Sequence, residues 1–283
     1  MTPMADLFNQ SIPFRERAEE IYSYQLTSNT IYRSFVQALG LLTDQCPQVD
    51  EMPLLPIRAF KDTTILCDGC AGNLIFKSSS TGGEGRSRHV ISDPELYQIS
   101  FRKEFYWHFP MEEYSILVYA PGYSDNPDSS LIWMLNDLVG RDRDGRSKFL
   151  PLNEPLQQES IDEIVRAGKK VLLFGAAFGL LDLIDLGSEQ LPGSSCIVET
   201  GGMKTHRREM EKYELRKKLS EGFAIPQSNI HSEYGMCEML SQCYAIGTEW
   251  FRPPDWVKVT IRDPEDPQTI CKAGTEGKIG IID

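Results

Sequence analysis

Leu74-Ile-Phe-Lys-Ser-Ser-Ser-Thr-Gly-Gly-Glu-Gly-Arg-Ser-Arg-His89 is the stretch from which the fold and the chemistry of this chain are best argued. A short apolar run leads into residues 78–85, which are serine, threonine or glycine apart from Glu84. A strand followed by such a loop offers hydroxyl donors and closely approachable backbone N–H groups, which bind polyphosphates. A flexible surface loop is the alternative interpretation. The loop is not a Walker A sequence, because no Gly-Lys-Ser/Thr follows the glycines.

The composition is that of an acidic globular protein. The 283-residue chain is 41% hydrophobic and 25% charged, with a formal net charge of −12. An acidic surface repels nucleic acid and anionic membranes. The most basic stretch, residues 204–218, alternates its cations with glutamates. We therefore expect no nucleic-acid partner.

The sequence shows neither a membrane span nor a secretion signal. No apolar run approaches the roughly 20 residues that cross a bilayer, and the N-terminus lacks the basic and apolar regions of a signal peptide. The seven cysteines are therefore expected to be reduced thiols in a cytoplasmic protein. Cys67-Asp-Gly-Cys70 has the spacing of a redox or metal-binding pair. No second CxxC or CxxH completes a zinc set, so a functional role for the pair is not favoured.

Short apolar runs alternate with helical patterns along the chain. Apolar positions at helical spacing predict an N-terminal helical segment over residues 1–50, and an α/β core is expected over residues 51–283. Strands are predicted at residues 64–66, 74–76, 115–119, 171–174, 195–198, 257–261 and 278–282. This alternation indicates an α/β protein with a mostly parallel sheet flanked by helices.

Helix boundaries are marked by local signals. Pro94 suits the first helical position of one helix. The Ser160-Ile-Asp-Glu163 pattern predicts a capping box, with Gly168 just past the end of that helix. Thr205 is the predicted cap of a basic helix that runs to about residue 221.

Two further signals follow the Ser/Gly loop in the chain. Ile197-Val-Glu-Thr-Gly-Gly-Met203 is a strand that opens into paired glycines, Gly201 and Gly202, where backbone can lie flat against a planar ligand. His231-Ser-Glu-Tyr-Gly-Met-Cys-Glu-Met239 supplies an aromatic face, a glycine and a carboxylate suited to Mg²⁺.

Each of these signals also has a plain structural explanation. The paired glycines could form an ordinary turn, Tyr234 could pack against its neighbours, and Glu238 could be a surface carboxylate. Together, however, the three stretches give a phosphate cradle, an adenine slot, an aromatic stack and a metal-binding carboxylate, in that order.

The stretches resemble the signatures of the adenylate-forming superfamily, which contains acyl-CoA synthetases, peptide-synthetase adenylation domains and luciferases. The loop is similar to its Ser-Ser-Gly-Thr-Thr-Gly signature, and Tyr234-Gly-Met-Cys-Glu238 to its Tyr-Gly-Met-Thr-Glu signature. Within the superfamily the chain most resembles the LuxE-type acyl-protein synthetases, which activate fatty acids for bacterial bioluminescence. The resemblance covers most of residues 50–282, including Leu54-Leu-Pro-Ile-Arg-Ala-Phe-Lys61, Ser129-Ser-Leu-Ile-Trp-Met134, Leu172-Leu-Phe-Gly-Ala-Ala-Phe178 and Glu199-Thr-Gly-Gly-Met-Lys204.

The resemblance implies a two-step, ATP- and Mg²⁺-dependent reaction. A carboxylate attacks the α-phosphate of ATP, giving an acyl-adenylate and pyrophosphate, and a thiol then takes the acyl group. The β- and γ-phosphates would be held by Ser78, Ser79, Ser80, Thr81, Gly82, Gly83 and Ser87. Gly201 and Gly202 would line the adenine pocket, Tyr234 would stack on the ring beside Gly235, Cys237 would stand near the α-phosphate, and Glu238 would bind Mg²⁺. Thr81 and Glu238 are thus the implied catalytic residues.

The sequence departs from the family pattern at several of these positions. Ser80 replaces a glycine, Gly82 replaces a threonine, and Cys237 replaces a hydroxyl with a weaker donor. The family's C-terminal lid, which carries a catalytic lysine, and its acyl-carrying cysteine have no counterpart in this sequence. We therefore expect the large N-terminal domain of such an enzyme, truncated before the lid domain, with low activity by itself.

Three functional hypotheses follow. The first is an acid–thiol ligase whose acceptor is a protein thiol, with a carboxylic acid, expected to be a fatty acid, as substrate and an acyl-reductase or another thiol-bearing protein as candidate partner. The second is a phenylacetate-type coenzyme A ligase. The third is a catalytically degenerate scaffold subunit. The oligomeric state is left open, a homo-oligomer included.

Overall fold

The computed structural model describes residues 6–78, 85–120, 126–201 and 210–283. The chain divides into two compact units. The first unit comprises Met1–Ser100, Cys237–Ser241 and Pro253–Asp283, and the second comprises Phe101–Met236 and Gln242–Arg252. The predicted domain boundary near residue 50 stays a prediction.

The described helices and strands alternate along most of the chain. The helices are α1 (Phe14–Ser28), α2 (Thr30–Ala38), α3 (Ala59–Asp62), α4 (Pro94–His108), α5 (Ser130–Gly140), α6 (Gln158–Arg166), α7 (Ala177–Asp185) and α8 (Lys212–Phe223). The strands are β1 (Leu74–Lys77), β2 (Arg88–Ile91), β3 (Tyr114–Tyr119), β4 (Lys148–Phe149), β5 (Lys170–Ala176), β6 (Cys196–Thr200), β7 (Ile230–Tyr234), β8 (Cys243–Ala245), β9 (Lys258–Arg262) and β10 (Lys278–Ile282). Short 3₁₀ turns lie at Val49–Glu51 and Gln227–Asn229.

The second unit is built on a six-stranded sheet in the order β4-β3-β5-β6-β7-β8. Neighbouring strands from β4 to β7 are parallel, and β8 pairs with β7 in the antiparallel direction. The central strands β5 and β6 are apolar over residues 171–176 and 196–198, and residues 171–175 and 196–200 are buried, as expected when helices cover both sides of a parallel sheet. The predicted α/β fold with a mostly parallel, helix-flanked sheet is confirmed.

The helices of the second unit lie on both faces of this sheet. On one face, buried side chains of α6, α7 and α8 share a core cluster with β3, β5 and β6, including Ile164, Leu180, Leu219, Leu173 and Ile197. On the other face, α5 side chains and Phe174 line a common cavity. The strand order reverses between β3 and β5, because the chain passes from β3 outward to β4 and returns to β5 on the other side. In doubly wound sheets, ligands bind outside the carboxyl ends of the strands at such a point.

The first unit contains two antiparallel hairpins and the N-terminal helices. β1 pairs with β2, and β9 pairs with β10. Helix α1 buries Ala18 and Tyr22 in a small cluster with Val49 and Met52. The buried Arg17 of α1 donates to the backbone oxygens of Leu7, Ile12 and Asp255, which satisfies its guanidinium inside the unit.

Most predicted strands are present, but one is absent and four of the described strands were missed. Residues 64–66 do not form a strand, since no described strand pairs with them. Strands β2, β4, β7 and β8 were not predicted. In β7, His231, Ser232 and Glu233 are all buried, so burial here does not follow polarity.

The helix signals had mixed outcomes. Pro94 opens α4, and Gly168 follows α6 with a positive φ of 76°, both as predicted. The predicted capping box at Ser160 is wrong, because α6 begins at Gln158 with Gln157 at its N-cap. The chain enters this helix from Leu156, a buried residue whose N–H donates to the Ser188 hydroxyl. Helix α8 begins at Lys212, while Thr205 lies outside the described residues.

Candidate functional site

The β1–β2 hairpin is the stem of the Ser/Gly loop. Its strands pair from Leu74 with Ile91 to Lys77 with Arg88. Beyond the last pair, the Ser78 N–H donates to the Ser87 carbonyl at 3.1 Å, and the Ser87 N–H donates to the Ser78 hydroxyl at 3.0 Å. These two bonds close the stem at the point where the loop begins and ends.

The predicted phosphate ligands between the two stem serines fall mostly outside the described part of the chain. These are Ser79, Ser80, Thr81, Gly82 and Gly83. Of the described pair, Ser78 is half-buried and accepts a bond from the Ser87 N–H, while Ser87 is only 2% exposed. Their predicted contacts with phosphate therefore stay predictions.

Cys237 and Glu238 belong to the same unit as this hairpin. The His89 ring on β2 bonds through Nδ1 to the Cys237 carbonyl at 2.8 Å. Since a carbonyl oxygen only accepts, His89 must carry its proton on Nδ1. The structure therefore brings the stem of the loop and the backbone next to Glu238 together, although 148 positions separate the two bonded residues.

The far end of the Cys237–Ser241 segment is held by the side chain of Asp283. The Asp283 carboxylate accepts from the N–H groups of Leu240, at 2.7 Å, and Ser241, at 3.1 Å, and from the Ser241 hydroxyl at 2.6 Å. The Ser241 hydroxyl also lies 2.9 Å from that of Ser100. Burial raises the pKa of Asp283, while these hydrogen bonds lower it. The segment that carries Glu238 is thus anchored on both sides of that residue.

Cys237 is buried at 9% exposure, next to the half-buried Glu238. Burial, followed by the neighbouring Glu238 carboxylate, raises the pKa of the Cys237 thiol to about 12. Because the thiolate is the reactive form of cysteine, this thiol is neutral and weakly nucleophilic at pH 7. It is therefore poorly suited to carry an acyl group.

Cys237 should accordingly resist alkylation in the folded protein. With iodoacetamide at pH 7.5, we expect it to react at less than about one tenth of the rate of the exposed Cys46. Peptide mass spectrometry of time points measures both rates, and the Cys237→Ser variant identifies the peptide. Equal labelling of Cys46 and Cys237 would contradict the burial argument.

In the second unit, Gly201 and Tyr234 come to neighbouring strand ends. Strands β6 and β7 are parallel, with Thr200 opposite Glu233. Gly201 follows β6 with a φ of +80°, a conformation that favours glycine. Tyr234 ends β7, is 37% exposed, and has its ring 5.8 Å from that of Phe251. A backbone position without a Cβ and an exposed aromatic ring are therefore presented at the carboxyl ends of neighbouring strands, while Gly202 lies outside the described residues.

Glu233, which the sequence analysis did not single out, is a buried acid at this edge. Its carboxylate accepts a hydrogen bond from the Thr200 hydroxyl. Burial raises the pKa of Glu233 to about 7. A Cβ at Gly235 would lie 2.8 Å from the Glu233 Oε1 atom, so a side chain at this position would push against the carboxyl group. The sequence signal that was available is an acidic residue placed directly before Tyr234-Gly235.

A cavity of about 200 Å³ lies where the strand order of the second unit reverses. Its walls come from the carboxyl ends of β3, β5 and β6 and from the start of α5, and are mostly apolar. Phe174, Gly175 and Ala176 line it, whereas Leu180, which follows in the same apolar stretch, is buried in the core. The cavity can take an apolar group at the edge of the sheet that carries Thr200.

Two other candidate groups have structural explanations. His231 is buried, and its Nδ1 accepts from the Gly247 N–H at 2.9 Å. Burial lowers the pKa of His231 to about 4, so it is a neutral packing residue at pH 7. Cys67 and Cys70 flank a turn closed by a 3.1 Å bond from the Cys70 N–H to the Cys67 carbonyl. Among the described residues, no group of three or more histidine, cysteine, aspartate or glutamate side chains could hold a metal.

No described helix is both long enough and apolar enough to cross a membrane. No family model and no curated protein matches the sequence.

Several solved structures are similar to this chain. O-succinylbenzoate coenzyme A synthetase of Bacillus subtilis, in complex with AMP, is 18% identical, with a TM-score of 0.48 over 74% of this chain and 40% of that one. ATP-bound MatB of Rhodopseudomonas palustris is 16% identical, with a TM-score of 0.48 over 76% and 40%. An acyl-CoA synthetase of Brucella canis is 13% identical, with a TM-score of 0.45 over 87% and 40%.

The chain spans about 40% of the length of these proteins. TM-scores below 0.5 carry no argument about activity, so the functional assignment depends on the residues of this chain.

Proposed function

We propose that this chain is the nucleotide-binding part of an ATP-dependent acid–thiol ligase of the adenylate-forming type. One observation carries the proposal. The stem of the Ser/Gly loop and the segment with Glu238 lie in one unit, joined by the hydrogen bond from His89 to Cys237. A hydroxyl-rich loop beside a carboxylate is the arrangement that a metal-bound polyphosphate requires.

The described residues fit a magnesium ion that travels with its substrate. Mg²⁺ in such sites keeps several waters and is bound by one or two carboxylates together with substrate phosphates. The half-buried Glu238 supplies one carboxylate on an anchored backbone, and a full protein cage is not needed. When bound, the metal neutralises charge on the phosphates, while Thr81 and the other loop residues orient them through N–H and hydroxyl donors.

We assign Gly201 and Tyr234 to adenine binding. The left-handed Gly201, which has no Cβ, and the exposed ring of Tyr234 lie at neighbouring strand ends. A purine stacks on an aromatic face and is approached closely by backbone that lacks a Cβ. The roles of Gly202 and Gly235 in lining the same pocket are part of this proposal.

The substrate acid is proposed to place its apolar part in the cavity lined by Phe174 and Ala176. A mostly apolar wall favours a fatty or aryl acid over a polar one. In the first step, the carboxylate oxygen bonds to the α-phosphorus of ATP as pyrophosphate leaves. In the second step, a thiol sulfur bonds to the acyl carbon, the thiol proton passes to solvent and AMP leaves.

For the acceptor we propose a thiol on a protein partner, such as an acyl-reductase. The support is the resemblance to LuxE-type synthetases at Leu54–Lys61, Ser129–Met134 and the other quoted stretches. Coenzyme A is the alternative acceptor. The two differ in their product, because only a protein acceptor yields a covalently acylated protein.

Calorimetric titration and acid-dependent pyrophosphate release test the proposal. The chain should bind ATP in the presence of Mg²⁺, and a fatty or aryl acid should increase pyrophosphate release above the acid-free rate. If no acid in a broad panel does so and ATP does not bind, the ligase proposal fails. Partner binding without nucleotide binding would support a scaffold subunit instead.

Filling the cavity with a larger side chain should reduce the length of the longest acid that the protein accepts. The side chain of Ala176 is exposed and faces the cavity, so Ala176→Phe adds a ring there. We expect pyrophosphate release to fall about tenfold or more for the longest accepted acids and to change little for acetate. The exposed Ala167, which follows α6 in the same unit, provides the control Ala167→Phe. A uniform loss over all acids would contradict the assignment of the cavity.

A further inference from the structure

We infer that His89 is a positioning residue, which sets the Glu238 segment against the stem of the Ser/Gly loop through its bond to the Cys237 carbonyl. The functional consequence rests on the proposed ligase function. No sequence motif assigns a role to His89, and its contact with Cys237 is visible only in the tertiary structure.

The first support is the placement of His89 in the hairpin. It lies on β2 opposite Phe76, two residues beyond Ser87, where the stem closes. Phe76 is fully buried, and the His89 ring packs edge-to-face against Phe60 at 5.2 Å. A ring held between a paired strand and an aromatic side chain has few alternative orientations.

The second support is the hydrogen bond itself. At 2.8 Å it is a short, well-formed bond to a main-chain carbonyl. Burial lowers the pKa of His89, although the bond to Cys237 and the charges of Asp283 and Glu238 act in the opposite direction. The ring is therefore neutral at pH 7, with its proton on the nitrogen that faces Cys237.

The third support is that the backbone held by His89 leads directly to Glu238, the proposed metal-binding residue. Glu238 follows Cys237 directly, so the bond fixes one end of the peptide unit that leads to the proposed metal-binding carboxylate. Asp283 fixes Leu240 and Ser241 on the other side. Misplacing a catalytic group by about 1 Å can cost about 10²-fold in rate. The bond from His89 is thus placed to control the distance between the Glu238 backbone and the Ser78–Ser87 stem.

Two substitutions separate the bond from the bulk of the side chain. The amide nitrogen of asparagine is as many bonds from Cβ as Nδ1 of histidine, whereas that of glutamine matches Nε2. His89→Asn should therefore keep the donor to Cys237, and His89→Gln should lose it. His108, which bonds to Glu104 at 3.1 Å in the second unit, supplies the control His108→Gln.

The first measurement does not depend on any ligand. Amide hydrogen exchange at residues 237–239 should become about tenfold faster or more in His89→Gln and stay near the wild-type rate in His89→Asn and His108→Gln. Unchanged exchange in His89→Gln, or equally fast exchange in both His89 variants, would overturn the positioning role even if the protein binds ATP.

The second measurement tests the consequence for nucleotide binding. In His89→Gln, the Kd for Mg²⁺·ATP should rise about tenfold or more, while that for AMP, which lacks the β- and γ-phosphates, changes less than about twofold. His89→Asn should restore ATP binding. An equal loss for ATP and AMP would show a general structural defect and would overturn the inference. If the wild-type protein binds no nucleotide, the proposed function fails, and hydrogen exchange still decides the role of His89.

Discussion

Replacing Glu238 with glutamine should abolish most of the Mg²⁺-dependent activity of this protein. The substitution keeps the size of the side chain and removes its charge, so the metal loses the carboxylate that we assign to it. Amides are much weaker ligands than carboxylates for a small, hard cation. We expect pyrophosphate release to fall about 10²-fold or more, by analogy with the loss of other charge-stabilising groups.

The measurement is acid-dependent pyrophosphate release as a function of Mg²⁺ concentration, together with calorimetric titration of ATP. Binding of ATP without metal should be affected much less than binding of Mg²⁺·ATP. The exposed Glu276 of the same unit gives a matched control, Glu276→Gln, which should behave like the wild type. Activity that survives in Glu238→Gln at low Mg²⁺ would remove Glu238 from the metal site.

Replacing Glu233 with glutamine should remove a large pH dependence of stability. Burial raises the pKa of Glu233 from 4.5 to about 7, with the Thr200 bond acting in the opposite direction. Between these values the folded protein holds a proton that the unfolded chain has released. Stability contributed by the neutral carboxyl is therefore fully present below pH 4.5 and is lost as the pH rises to about 7. The whole effect is on the order of 3 kcal/mol.

Urea unfolding between pH 5 and pH 8 measures this effect as the difference between wild type and Glu233→Gln. Glu199 is present in both proteins; burial raises its own pKa, and its charge also raises the pKa of Glu233. We expect the variant to gain stability relative to the wild type as the pH increases, and the exposed Glu154 supplies the control Glu154→Gln. Parallel pH profiles for wild type and Glu233→Gln would show that Glu233 titrates normally in the folded state.

The substitution at Glu233 should also alter the proposed adenine edge. Gly235 packs against the Glu233 carboxyl, and Thr200 donates to it at the end of β6. A glutamine can still accept the hydrogen bond from Thr200 through its amide oxygen, but it then places its NH₂ group against Gly235. If Glu233→Gln both changes the affinity for AMP and loses the pH dependence of stability, this buried acid is linked to the position of Tyr234.

Local sequence patterns were sufficient to predict an element where the burial of its residues follows their polarity. Strand β5 was predicted from its apolar run, because Leu172, Leu173 and Phe174 are all buried. The end of α6 was predicted from Gly168, because glycine favours the left-handed region that the backbone adopts there. Strand β7 was missed for the opposite reason. His231 and Glu233 are buried polar residues whose partners, Gly247 and Thr200, lie on other segments.

By itself, the sequence determined the alternation of strands and helices, and with it the parallel sheet. It also supplied the Ser/Gly loop and the Tyr234–Glu238 stretch as candidates for nucleotide chemistry. These features depend on side chains close together in the chain, whose spacing reports directly on local geometry.

Only the tertiary structure decided which of these groups meet. The bond from His89 to Cys237 spans 148 positions, and the pKa of Glu233 depends on burial by distant segments. The apolar cavity likewise exists only because the order of strands reverses between β3 and β5. Hydrogen bonds, desolvation and cavities depend on how elements pack, and packing brings together residues whose separation in the chain carries no signal of their contact.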